Sequence, residues 1–161
     1  MISIEPASHA HTDALIALIL QIQRQEFGLA SSLADLPDLA DIAHYYRSAG
    51  GDFWVALCGD EVVGTLGLRG IGQQQGALRK LYVKASYRGA QHGVATLLMA
   101  RLLTAAHAAQ MHTLYLATTE KFGAACRYYE KTGFSQVTLE SLPAAFPRIP
   151  QETRFYTRKI D

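Results

Sequence analysis

The stretch Tyr87-Arg88-Gly89-Ala90-Gln91-His92-Gly93-Val94-Ala95 places a forked cation and two glycines directly before an apolar, helical pattern. Each of these residue types suits an anion. The start of a helix leaves its first amide hydrogens unpaired and carries partial positive charge. Gly89 and Gly93 permit backbone angles closed to bulkier residues and let a ligand approach the main chain. Arg88 adds paired donors for a phosphate, and His92 can join through its ring or its amide. Taken alone, the segment reads more simply as a strand-to-helix loop, because short glycine patterns recur without function. Two other nucleotide signatures are absent: no G-x-x-x-x-G-K-[ST] loop occurs, and no G-x-G-x-x-G with an acidic residue about twenty positions on.

Tyr129 is the other chemically interesting residue, and its spacing is ambiguous. Phe122, Ala125, Cys126 and Tyr129 recur as one helical stripe, the pattern of a core aromatic with a satisfied hydroxyl. Glu26, Asp35, Asp38 and Asp41 can steer a cationic amine, or can serve as ordinary acidic helix starts. Six histidines are scattered, and the pair His9 and His11 has no cysteine or carboxylate cluster to complete a four-ligand site, so no metal is expected. Cys58 and Cys126 both sit in apolar runs and read as reduced core thiols.

The elements that must position these groups follow from periodicity. Ile2 and Ile4 alternate as a first strand. Leu15, Ile16, Leu18, Ile19 and Ile22 form a helical stripe after Thr12, and Pro37 opens a second helix running past Ile42 to Tyr45. Two β-rich runs flank Gly59-Asp60 as a hairpin. The run ALRKLYV is a further strand, followed by a helix from Val94 to Ala109 with Val94, Leu97, Leu98 and Leu102 on one buried face. HTLYLAT is a strand, Phe122 to Lys131 a helix capped by Gly133, and Phe134–Leu139 and Thr153–Ile160 final strands joined by a proline-rich loop. The order β-α-α-β-β-β-α-β-α-β-β describes a mixed α/β sheet.

The chain has 161 residues, 49% hydrophobic and 18% charged, with a formal net charge of +1. A single folded domain over 1–161 is expected. Without clustered Lys and Arg, no nucleic-acid partner is expected. No apolar run approaches the ~20 residues of a membrane span, which fits a soluble, cytoplasmic protein.

LYVKASYRGAQHGVATLLMARLL followed by TLYLATTEKFGAACRYYEKTGF resembles the GCN5-related N-acetyltransferase (GNAT) superfamily. In that superfamily a strand with an L-x-V core leads to a Y-R-G-x-G-[IV]-[GA] loop that binds the pyrophosphate of acetyl-coenzyme A. Its downstream helix ends A-x-x-[hydrophobic]-Y-E-K-x-G-F, matched here by Ala125, Tyr128, Tyr129, Glu130, Lys131, Gly133 and Phe134. The resemblance implies a central, mostly antiparallel twisted sheet of about seven strands flanked by about four helices. It implies acetyl-CoA as acyl donor, held by Leu81, Tyr82 and Val83 of the strand and by Arg88 to Ala95 of the loop. It further implies direct attack by a primary amine of a small molecule or peptide, main-chain donors around Leu81–Val83 for the developing oxyanion, and Tyr129 as the group that protonates or hydrogen-bonds the departing sulfur. A homodimer is left open, and so is a catalytically weak acetyl-CoA sensor or interaction module.

Three departures bear on these expectations. Ala90-Gln91-His92 makes the loop two residues longer than the common form. Phe122 stands where an asparagine is common, and Ala77 where a glutamate often supplies the base. Glu120, His112 and ordered water remain as routes for the amine proton, and no base is assigned.

Overall fold

The protein's structure, a computed structural model, describes residues 1–160. The chain runs β1 (Ile2–Pro6), α1 (Thr12–Gln21), α2 (Pro37–Ala40), β2 (Asp52–Cys58), β3 (Glu61–Gly70), β4 (Gln75–Val83), α3 (Val94–Ala108), β5 (Thr113–Thr118), α4 (Gly123–Lys131), β6 (Ser135–Val137) and β7 (Arg154–Lys159). One seven-stranded sheet has the order β1-β2-β3-β4-β5-β7-β6. Every pairing is antiparallel except that of β4 with β5. This is the mixed α/β architecture expected from the element order.

Alternation along the strands builds two cores. In β2, Trp54 and Ala56 join Val94, Leu98 and Leu102 of α3, while Phe53, Val55 and Leu57 join Leu15 and Ile19 of α1 on the other face. Burying side chains of this size stabilises by about 1.5–3 kcal/mol each. The buried face of α3 is Val94, Leu98, Met99, Leu102 and Ala106; Leu97, expected on that face, is 42% exposed. The rotation brings Met99 inward in its place.

Gly64 sets how closely α3 lies on the sheet. A Cβ there would stand 2.9 Å from Val94 Cγ1, 3.1 Å from Leu98 Cδ1 and 3.3 Å from the Ala56 Cβ. Gly64→Val is therefore expected to cost about 2–3 kcal/mol by overpacking. Urea unfolding of the variant checks the effect.

The first two helices differ from the simple stripes expected of them. α1 continues as a π-helical turn over Ile22–Glu26, and α2 is four residues long before a second π-helical turn at Ala43–Arg47. The last strands are shorter than their apolar runs, because Thr138 begins a 3₁₀ turn over Leu139–Ser141. Gly133 ends α4 with φ +99°, as the cap position requires.

Two irregularities in the middle of the sheet position everything that follows. β4 pairs with β5 only from Gln75–Ala77 against Thr113–Tyr115, and beyond that point the strands diverge. On its other edge β4 carries a bulge: Tyr82 pairs with Thr65 and Arg79 with Gly67, and Lys80 has φ +62°. Thr65 Oγ1 donates to the Lys80 carbonyl at 2.8 Å and holds the bulge in place.

Candidate active site

Divergence of β4 from β5 opens a cleft of about 380 Å³. Arg79 to Tyr82 line one wall and Leu116 to Thr119 the other; Tyr129 and Phe122 come from α4 and its N-cap, and Phe146 and Glu152 from the loop before β7. The Phe122 ring packs on Phe27, centroid to centroid 4.1 Å, so this residue joins the end of the first helical segment to the cleft. Gln23 donates to Tyr82 Oη at 2.8 Å from the same segment.

Tyr129 is 5% exposed and makes no side-chain hydrogen bond to any described residue. Burial, with smaller contributions from Tyr82 and Cys126, holds its phenol protonated well above the ordinary range. Its ring touches Phe134 and Tyr156 edge-on or tilted, at centroid distances of 5.8 and 6.0 Å. The residue thus belongs at once to the apolar stripe and to the cleft.

Of the residues expected to hold the donor, Leu81 and Tyr82 line the cleft, whereas the loop from Arg88 to Ala95 lies beyond the end of β4. Val83 pairs with Gly64. Arg88 is already engaged: Nε donates to the Val83 carbonyl at 2.8 Å, and the guanidinium forks onto Glu26 at 2.6 and 2.9 Å. Within the loop, the amides of His92 and Gly93 both donate to the Gly89 carbonyl at 3.2 Å, so the His92 amide is spent internally. The His92 ring stacks near Tyr87 instead, centroids 5.4 Å apart. Gly89 (φ +107°) has open space where a Cβ would stand, and Gly93 (φ +64°) is the N-cap of α3. The first amide bonded back along the helix is that of Leu97, to Gly93, which leaves those of Val94, Ala95 and Thr96 free. Ala90 and Gln91 are exposed and Ala95 half-buried, while the Val94 side chain is buried in the core, so only its main chain is available to a ligand.

The acidic residues near the first helices are mostly committed. Glu26 holds Arg88, Asp41 accepts from the His44 amide, and Asp35 accepts from the Ser32 amide. Asp38 is buried, 3.3 Å from Lys80 Nζ, and accepts from Tyr46 Oη at 2.5 Å. Burial lowers the Lys80 ammonium and raises the Tyr46 phenol from their usual values; Asp38 pulls both upward.

The carboxylate that sequence reasoning missed is Glu152. Thr153 N–H donates to the Thr118 carbonyl at 2.8 Å, which pins the loop end across the mouth of the cleft beside the tip of β5. Glu152 Oε1 is buried without a hydrogen-bond partner. Burial raises its carboxyl to about 6, although the nearby charges of Arg79 and Lys80 pull it down. Glu120 is 65% exposed beside Arg154, and His112 bonds Thr113; neither lines the cleft. Ala77, at the place where a carboxylate is common in the family, is fully buried beside Ile71 and Phe146. Among the described residues, no helix is long and apolar enough to cross a membrane, and no three His, Cys, Asp or Glu side chains gather as metal ligands.

Comparison with known proteins settles the family. The model of the acetyltransferase (GNAT) family matches residues 16–134. The chain belongs to the GNAT family. An acetyltransferase of that family from Staphylococcus aureus is 31% identical with a TM-score of 0.95, each chain covering 100% of the other. Two curated relatives are called N-acetylaspartate synthetase: that of Xenopus tropicalis is 35% identical over 62% of this chain, and that of Danio rerio 32% identical over 74%. The matches span only 37% and 43% of those relatives' lengths.

Acyltransferases of the GNAT family use acetyl-CoA as donor. The residues present fit that donor. Three free amides head a helix of 15 residues, two glycines with positive φ keep the loop before it open, and the cleft between β4 and β5 leads to a protonated phenol.

Proposed function

We propose that this GNAT protein acetylates a primary amine of a small molecule or peptide by direct attack, with Glu152 as the base and Tyr129 beside the leaving sulfur. When bound, acetyl-CoA supplies the activated acetyl thioester. The observation that carries this reading is the placement in one cleft of a carboxyl raised to about 6 and a phenol that burial holds protonated.

Nitrogen forms its bond to the acetyl carbon as the carbon–sulfur bond breaks, coenzyme A leaves as a thiolate that solvent later protonates, and the proton that nitrogen loses passes to Glu152. A base near 6 is ionised at neutral pH yet basic enough to assist an amine whose own pKa burial lowers. Tyr129 has its phenol held above the ordinary value near 10, whereas a free thiol sits near 8.5, so outright transfer to sulfur is uphill. Its role is to donate a hydrogen bond there. The bulge leaves Lys80 and Leu81 unpaired with β3, and the Leu81 main-chain amide is assigned to the acetyl oxygen. The amides of Val94, Ala95 and Thr96 receive the pyrophosphate, with Gly89 and Gly93 shaping the approach. Arg88 contributes only by leaving Glu26.

The test is release of free thiol from acetyl-CoA against amino acids, polyamines, aminoglycosides and short peptides. Acceptor-dependent release at least about tenfold above the rate without acceptor is expected. Coenzyme A binding with no acceptor-dependent release from any class overturns the reading in favour of a binding module. The names of the two curated relatives put amino acids first in that panel.

A further inference from the structure

The cleft holds two half-buried groups of opposite charge, each with a buried polar atom left unpartnered and neither bonded to the other. Arg79 Nε and Glu152 Oε1 are the buried side-chain atoms without a hydrogen bond among the described residues. Arg79 stands on β4 just before the bulge. Its one hydrogen bond is a long contact of 3.5 Å from Nη1 to the Pro147 carbonyl, and its guanidinium lies 5.5 Å from the Tyr45 ring centroid. No described carboxylate is within ion-pairing distance of it.

Lys80 shows that this lack of a partner is specific to Arg79. The neighbouring cation is neutralised by Asp38, which is itself fixed by Tyr46. A guanidinium with a buried, unpaired donor is destabilising unless something answers its charge and that donor. Glu152, the carboxylate that faces the same cleft, is near enough to feel the Arg79 charge but forms no salt bridge with it. A folded chain that needed only internal balance would close the two into a pair.

We propose that the acceptor is an aminocarboxylic acid, whose carboxylate is taken by Arg79 while its amine is presented to Glu152. One zwitterion satisfies both orphaned atoms. The guanidinium offers the planar, two-point fit that a carboxylate uses and an amide does not. A polyamine would place a second cation against Arg79, and a peptide amine would bring only a neutral carbonyl. This assignment rests on the acetyl-transfer reading above and makes Arg79 its specificity-determining residue.

The test uses the unaltered protein first. Free L-amino acids are compared with analogues in which every carboxylate is converted to carboxamide, alongside simple polyamines. Thiol release gives kcat/KM, and calorimetry on the coenzyme A-saturated protein gives binding. Acids are expected to exceed their amides by about 30- to 100-fold in kcat/KM, as a site with a buried donor rejects a ligand that cannot meet it. In Arg79→Gln that preference should collapse to within about threefold, through a higher KM for the acid. Equal use of acids and amides, faster use of polyamines, or no difference in binding overturns the proposal while leaving acetyl transfer intact. Preferential binding of acids with no acetylation of any amine supports the assignment of Arg79 and overturns acetyl transfer instead.

Discussion

Glu152→Gln is expected to lower kcat/KM by about 10²- to 10⁴-fold and, at neutral pH, to raise the unfolding free energy by about 1–2 kcal/mol. The two effects share one cause. Burial lifts the carboxyl from 4.5 to about 6, so the folded state binds the proton more tightly than the unfolded chain. The stability this group contributes is fully present below its unfolded value near 4.5 and is lost as pH rises through about 6. At neutral pH the ionised, unpartnered carboxylate is therefore a cost of about 2 kcal/mol. Glutamine fills the same space without charge and removes that cost, but cannot accept the amine proton. Activity has the opposite pH dependence to stability: kcat/KM of the unaltered enzyme should rise through pH about 6 as the base ionises. The variant should lack that limb. Denaturant unfolding at pH 5 and pH 8, with rate profiles over the same range, checks both. A purely structural Glu152 would give a variant with lower stability, or with an unaltered pH profile.

The two sites differ sharply in how far they can be read from the sequence, and the reason lies in how each is built. The loop proposed to receive the donor is local. Strand, glycines and the first turn of α3 are consecutive in the chain, so periodicity from Leu81 to Leu102 outlines them. Tyr129 is legible through its motif and not through its spacing, which describes a core residue equally well; in the structure it is buried in the core and also lines the cleft. Leu97 shows the limit of counting: the interval from Val94 places it on the buried stripe, while the face that Val94, Leu98, Leu102 and Ala106 define takes in Met99 and leaves Leu97 exposed.

Arg79 and Glu152 are illegible for different reasons. A regular strand sends consecutive side chains to opposite faces. The bulge at Lys80 resets that alternation, so Arg79 approaches Tyr45 and Lys80 approaches Asp38, both on the side of the sheet covered by the first helical segments. Nothing in the letters GALRKLYV announces a positive φ at a lysine. Glu152 depends on the bond from Thr153 to Thr118, which joins a proline-rich loop to a strand more than thirty residues earlier. The acidic residues that the sequence does bring forward, Glu26, Asp38 and Asp41, turn out to hold Arg88, Lys80 and a helix amide.

Tyr129→Phe is the second large effect expected: about a 10²-fold fall in kcat, with the KM for acetyl-CoA changed by less than about threefold. The phenol makes no hydrogen bond inside the protein, so its loss leaves no partner stranded, and stability should move by no more than about 0.5 kcal/mol. The ring contacts with Phe134 and Tyr156 survive the substitution. What disappears is a donor that matters only while negative charge grows on sulfur, and such a loss falls on kcat and kcat/KM alike. The pH profile separates this role from that of Glu152. Because burial keeps the phenol protonated across the working range, the Phe variant should retain the rise through pH about 6 at a uniformly lower rate. A donor that surrendered its proton outright would instead impose a falling limb at high pH in the unaltered enzyme, which the variant would lack. Unchanged kcat across the range would return Tyr129 to the apolar stripe alone. A matching loss of coenzyme A affinity would make it a packing residue of the cleft and not a partner of the leaving group.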